Sequence, residues 1–219
     1  MTLTKRTRGY LPHWESEGGT YFVTFHLGDS LPATVLAKLT RQREMLDAVV
    51  RSGRQLTPIE SVRAHQLRRK EMERCLDANH GECILRSAGC AAIVAERLAF
   101  RDGNHYDLFA WVVMPNHVHA LFRPETGHDL AEILGAWKSV STRLINAARS
   151  KRGSLWQREY YDHLIRDEAE FIHAVEYILD NPRRAGLRDW PLGICERVIG
   201  PAGGGAGATL AHQLKGDIA

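Results

Sequence analysis

Two histidines bracket a single valine in the run Val112-Val113-Met114-Pro115-Asn116-His117-Val118-His119-Ala120-Leu121-Phe122. On a β-strand alternate side chains point to one face. His117 and His119 therefore look out together, while Val118 turns away with its apolar neighbours. Two imidazoles fixed on a strand are a preformed half of a metal site. Alone, the same pair is ordinary surface polarity, so a second stretch must supply what is missing. Tyr177-Ile178-Leu179-Asp180-Asn181 is that stretch. On a helix Tyr177 and Asn181 share a face. Asn181 offers a carbonyl oxygen as a third metal ligand. Tyr177 offers a phenol, a weak nucleophile at neutral pH unless it is activated. A divalent cation held by two imidazoles and an amide can polarise a phosphodiester and brace the attack. The parts match metal-assisted phosphoryl transfer through a covalent phosphotyrosine. Taken singly, Tyr177 reads as a packed helix residue and Asn181 as a plain cap before Pro182; only the combination points to chemistry.

A sheet and a helix must hold these groups. Tyr106 to Met114 is long and apolar, as expected of a central strand. Pro115-Asn116 turns the chain, and His117 to Phe122 returns as the next strand of a tight hairpin, although Pro-Asn is not a preferred hairpin pair. Thr20 to Leu27 alternates as a strand, with Tyr21, Val23 and Phe25 on one face and Phe22, Thr24 and His26 on the other. His26 is either a lining residue of the site or a satisfied histidine of the fold. Ala91 to Phe100 reads as a helix, and Asp129 caps another running to about Ala148. Ser154 to Ile165 reads as extended. Asp167 and Glu170 have N-cap and N3 spacing for a last helix, Glu168 to about Asn181. Phe171, Val175 and Ile178 form its buried stripe, and Pro182 is expected to stop it.

The remainder is less ordered in pattern. Residues 1–20 are basic, then loop-like. Residues 30–80 read as a helical insertion: Leu36, Leu39, Leu46 and Val50 make one stripe, and Thr57-Pro58-Ile59-Glu60 opens a second, highly charged helix to about Leu76. The domain is expected over 1–188, with 189–219 a flexible Gly-rich tail.

At 219 residues and 44% hydrophobic content, one domain with a real core is expected. The net charge of +3 permits nucleic acid without demanding it. The four cysteines form no C-x-x-C pair, which disfavours a zinc ribbon. No run approaches a membrane span, and a cytoplasmic protein is expected. Lys138, Arg143 and Arg149 lie along the Asp129 helix, followed by Lys151 and Arg152. They are either a phosphate-tracking surface or the basic end of an ordinary amphipathic helix.

Met114-Pro115-Asn116-His117-Val118-His119 resembles the HUH motif of single-tyrosine transposases. Tyr177 through Asn181-Pro182-Arg183-Arg184-Ala185-Gly186-Leu187 is similar to their nucleophile helix and its exit. Leu11-Pro12-His13-Trp14 to Phe25, Trp156 to His163 and Ile165 to Glu168 resemble the REP-associated tyrosine transposases in particular. The likeness covers about residues 8–188. It implies an α+β, ferredoxin-like, mostly antiparallel sheet with packed helices. It implies Mg²⁺ or Mn²⁺ held by His117, His119 and Asn181, with Tyr177 as nucleophile. It implies cleavage and rejoining of single-stranded DNA at hairpin-forming palindromic repeats through a 5′-phosphotyrosine, by a monomer or a homodimer. Arg183 and Arg184 join the candidate phosphate contacts. Arg183 stands where the family more often has a small apolar residue. Two alternatives remain: a structured-DNA-binding protein that nicks weakly or not at all, and a phosphodiesterase that uses water. Tyr160 and Tyr161 are rival nucleophiles, and with Trp156 they are candidates for base stacking or core packing.

Overall fold

The computed structural model describes residues 3–8, 11–16, 18–52, 71–188, 190–195 and 198. The stretch expected to be loop-like contains two antiparallel strands, β1 (Leu3–Arg8) and β2 (Leu11–Ser16), paired from Leu3↔Ser16 to Arg8↔Leu11. After Leu3, β1 holds only Thr, Lys and Arg, so no period-two hydrophobic signal marks it.

The main sheet is antiparallel. It consists of β3 (Tyr21–His26), β4 (Tyr106–Val113), β5 (His117–Pro124), β6 (Tyr161–Leu164) and β7 (Leu192–Ile194), in the order β6-β3-β5-β4-β7. Helix α1 (Ala33–Arg51) and then α2 (Ala88–Ala99) connect β3 to β4, and α3 (Leu130–Ala148) connects β5 to β6. Setting β7 aside, the strands run fourth, first, third, second across the sheet with helical crossovers, which is the expected ferredoxin-like α+β order. Helix α4 (Glu168–Arg184) follows β6.

The alternation read from the sequence separates two cores. Tyr21, Val23 and Phe25 of β3 and Val118, Ala120 and Phe122 of β5 pack with residues of α2 and α3. Phe22, Leu121, Ala110 and Val112 pack on the other face with Ala174, Val175 and Ile178 of α4. A bulge between Leu108 and Ala110 shifts the β4 register, so Phe109 and Ala110 both turn toward α4. Val175 and Ile178 are fully buried, each worth roughly 1.5–3 kcal/mol of transfer free energy.

The helix caps behave as expected. Asp129 accepts from the Ala131 N–H at 2.7 Å, and Asp167 from the Glu170 N–H at 2.8 Å. Pro182 does not stop α4; it lies inside the helix, which runs on to Arg184. Proline removes one donor, but the chain beyond it closes normally. Leu187 N–H donates to Pro182 O (2.8 Å) and Gly186 N–H to Arg183 O (3.0 Å), with Gly186 at φ +68. That is a Schellman ending, and it moves the helix terminus past Asn181.

Only Tyr161–Leu164 of the expected extended stretch 154–165 joins the sheet ladder. Trp156 is a core residue. Its ring meets Phe25 at 4.8 Å, and its N–H donates to Ser141 Oγ at 2.9 Å. The sheet also continues past residue 188, where a flexible tail was expected. Strand β7 pairs with β4, and Val198 is buried. Residues 199–219 lie outside the described residues, as does the predicted helix start at Thr57 within 53–70; residues 71–77 are helical. The two ends of the insertion meet at a neck. Asp29 Oδ2 accepts from the Glu82 N–H at 2.7 Å, and Gly81 takes φ +87 beside it. Among the described residues no helix is long and apolar enough to cross a membrane.

Candidate active site

The β4–β5 hairpin turns at Pro115-Asn116, closed by Met114 N–H to His117 O at 2.8 Å. Neither turn residue adopts the positive φ of the favoured hairpin turns. The turn is held from outside instead. Leu27 N–H donates to Asn116 O (2.9 Å) and Leu85 N–H to Pro115 O (3.2 Å).

From this turn β5 carries His117 and His119 into the interior on the α4 side, 0% and 1% exposed. His26 stands across from His117 and Thr24 across from His119. The two Nε2 atoms are 3.1 Å apart, with the rings at 77°. Two neighbouring ligands on an octahedral cation with bonds near 2.1 Å are separated by about 3 Å, so the pair has the spacing of such ligands. Burial pushes His117 well below the usual imidazole range, helped by His119 and His26, so the ring is neutral, as a ligand must be. Thr24 Oγ1 is 2.8 Å from His119 Nδ1, and Asn116 Oδ1 is 2.7 Å from His117 Nδ1. Partners of this kind orient ligating histidines.

Helix α4 brings the second half over the same face. The Tyr177 ring lies 5.3 Å from the His119 ring at 77°, and 5.8 Å from Phe22, which itself stacks on His119 at 5.4 Å. Arg184 Cζ lies 5.9 Å from the centre of the Tyr177 ring. Asn181 is 4% exposed among the buried residues of α4, and no side-chain hydrogen bond joins its carboxamide to another described residue. A pair of imidazoles and an amide oxygen can hold a divalent cation that keeps water or phosphate oxygens in its remaining positions; the oxygen donors suit Mg²⁺ or Mn²⁺, while the imidazoles are borderline donors. The set is compatible with Mg²⁺ or Mn²⁺ without selecting them over other divalent cations.

The rival tyrosines lie farther from the histidines. Tyr161 stands across from Thr24 on the edge strand β6, in the same row and on the same face as His119, but one strand farther out. Tyr160 packs against the first core, 5.8 Å from Lys138 Nζ. The candidate phosphate contacts are divided by the sheet, because α3 and α4 pack on opposite faces. Lys138 donates to Arg158 O at 2.8 Å, and burial pushes its amine down to about 8. Arg149 pairs with Glu82, and Arg183 with Asp180 at 2.6 Å. Arg143, Lys151, Arg152 and Arg184 are exposed. Sequence reasoning treated Asn116 only as a turn residue and Thr24 only as a strand residue. Adjacency to His117 was the available signal for Asn116. Thr24 becomes visible only through the β3–β5 register.

The sequence pattern of the family described as "Transposase IS200 like" matches residues 97–181, the span from the end of α2 to Asn181. Over that span, less than half of its length, the chain is similar to the IS200-like transposases. An Escherichia coli (strain K12) relative, a REP-associated tyrosine transposase, is 29% identical over 98 residues, 43% of this chain. The match spans 57% of that relative's length. A Haemophilus influenzae relative is 28% identical over 131 residues, covering 52% of this chain and 73% of its own. A solved structure of a REP-associated tyrosine transposase bound to a REP hairpin aligns at TM-score 0.44 and 19% identity, over 86% of this chain and 80% of its own. In IS200-like terms, His117, His119 and Tyr177 fall within the matched span, and Asn181 closes it.

Proposed function

We propose that this protein is an IS200-like transposase that cleaves and rejoins single-stranded DNA at hairpin-forming palindromic repeats, using Tyr177 as nucleophile. His117, His119 and Asn181 would hold Mg²⁺ or Mn²⁺. When bound, the cation polarises the scissile phosphate and offsets its growing negative charge. The Tyr177 phenol oxygen attacks phosphorus, and the bond to the 3′ oxygen breaks. The phenol loses its proton, and the departing strand ends as a free 3′-OH. The other strand stays linked to Tyr177 through its 5′ phosphate, and attack by a 3′-OH reverses the step. The buried walls around His117 and Asn181 keep the ligand atoms from exchanging freely with water. Arg184, beside the phenol ring, is suited to hold a phosphate oxygen next to the nucleophile.

The observation that carries this reading is the contact between the Tyr177 and His119 rings within one chain. This contact supports assembly of the site within one protomer and favours action as a monomer over a homodimer. The remaining basic residues, Lys138, Arg143, Arg149, Lys151, Arg152 and Arg183, are proposed to track the DNA backbone, each with the salt dependence of a phosphate contact. A cytoplasmic location fits a DNA substrate. The test is incubation with a hairpin oligonucleotide and Mn²⁺. The wild-type protein is expected to form a denaturant-stable conjugate, and Tyr177→Phe none. A conjugate formed by Tyr177→Phe refutes the assignment.

A further inference from the structure

The two histidines are held by unlike neighbours. Asn116 is fully buried, and its Nδ2 lies 3.1 Å from His80 O, at the exit of the helical insertion. A carbonyl oxygen only accepts, so the Asn116 NH₂ faces His80 and its Oδ1 must face His117. Oδ1 in turn only accepts, so His117 Nδ1, 2.7 Å away, carries the proton. A neutral His117 then presents a bare Nε2. His119 meets a hydroxyl instead, Thr24 Oγ1 at 2.8 Å, which can donate or accept. Because His117 Nε2 is bare, the 3.1 Å Nε2–Nε2 contact requires the proton to sit on His119 Nε2. His119 Nδ1 then accepts from Thr24.

We infer that Asn116 and Thr24 are positioning residues with different tasks: Asn116 presets His117 as a ligand, while Thr24 allows His119 to exchange tautomers when the site fills. The exchange is neutral. The imidazole loses the proton at Nε2 and gains one at Nδ1, and the Thr24 hydroxyl turns from donor to acceptor, so no net proton is released by this ring. The inference rests on the metal reading for the purpose of the exchange, but not for the His117 tautomer. It also gives the insertion a link to the site, because the carbonyl that fixes Asn116 belongs to its exit loop.

The test is ¹⁵N NMR of histidine-labelled full-length protein, first without metal, then titrated with Mg²⁺. Without metal, His117 is expected as the Nδ1–H form and His119 as the Nε2–H form; at saturation both carry the proton on Nδ1. Asn116→Ala should leave His117 a mixture of tautomers and raise the Mg²⁺ needed for half-saturation by about 10–100-fold, the usual range for losing such a partner. Thr24→Val should weaken Mg²⁺ binding while leaving the His117 tautomer unchanged, and Thr24→Ser should restore it. The Thr24 pair and the wild-type spectra decide the matter even where Asn116→Ala does not fold. A metal-free wild-type His117 protonated at Nε2 overturns the preset. Wild-type rings that ignore Mg²⁺ overturn the metal reading and the exchange at His119, leaving the His117 tautomer standing.

Discussion

The rings of His119 and Tyr177 meet edge to face, 5.3 Å between centroids, although one side chain rises from β5 and the other descends from α4. Nothing local to either element sets that distance. It depends on how α4 seats against the sheet, through Val175 and Ile178 packed on Phe22, Val112 and Leu121.

Loosening that seat should therefore uncouple the nucleophile. Ile178→Ala is expected to cost about 2–4 kcal/mol, read as a lower urea midpoint. It should also slow conjugate formation at temperatures where the variant is still folded. An unchanged rate in the folded variant would mean that Tyr177 does not depend on the packing beneath it.

Asn181 sits one helical turn beyond Tyr177 and is buried without a described side-chain partner. Asn181→Ala should raise the Mn²⁺ concentration for half-maximal cleavage by about tenfold or more, with little change in thermal stability. A variant that cleaves at the wild-type Mn²⁺ concentration would remove Asn181 from the ligand set.

Stability should fall in mild acid. Burial holds His26 down to about 4, against an ordinary value of 6.5, with Lys138 opposing protonation further and the Leu27 carbonyl favouring it. His117 is depressed more strongly by the same cause. Between pH 6.5 and about 4 the unfolded chain takes up protons that the folded chain refuses. The stability these rings contribute is complete above 6.5 and is lost as pH falls. His26 alone accounts for about 3 kcal/mol of that loss. Urea titrations at pH 7 and 4.5 should show the drop, and His26→Asn should reduce it. Equal pH dependence in the two proteins would show that His26 is not held neutral.

Gly81 guards the neck of the insertion. A Cβ there would lie 2.6 Å from Asp29 O and 2.8 Å from Asp29 Cγ, at a φ of +87 that side chains rarely adopt. Gly81→Ala should cost about 2–3 kcal/mol by thermal or urea unfolding. A neutral effect would place the neck under no strain.

The sheet was legible because two strong signals coincide in β3 and β5: period-two alternation, and turn residues between long apolar runs. The Tyr177–Asn181 register was legible because helical spacing is fixed. The extent of α4 was not, since proline punctuation is a local rule and the Gly186 ending satisfies the carbonyls that Pro182 would have left open. Strand β7 escaped because three residues carry too little pattern, and its pairing with β4 is a tertiary fact. Trp156 left both base stacking and core packing open because the sequence does not reveal Ser141 waiting for its N–H. The roles of Asn116 and Thr24 depend on which atoms meet across strands and loops, which only coordinates supply.

The most direct measurement is peptide mapping of the protein after reaction with a cleavable hairpin oligonucleotide and Mn²⁺. Trypsin separates the rivals, because Tyr177 falls in the peptide 167–183 and Tyr160 and Tyr161 fall together in 159–166. A 5′-phosphonucleotide on the 167–183 peptide is the result expected. A nucleotide on 159–166, or cleaved DNA with no modified peptide at all, would contradict the assignment of Tyr177 as the group that takes the strand.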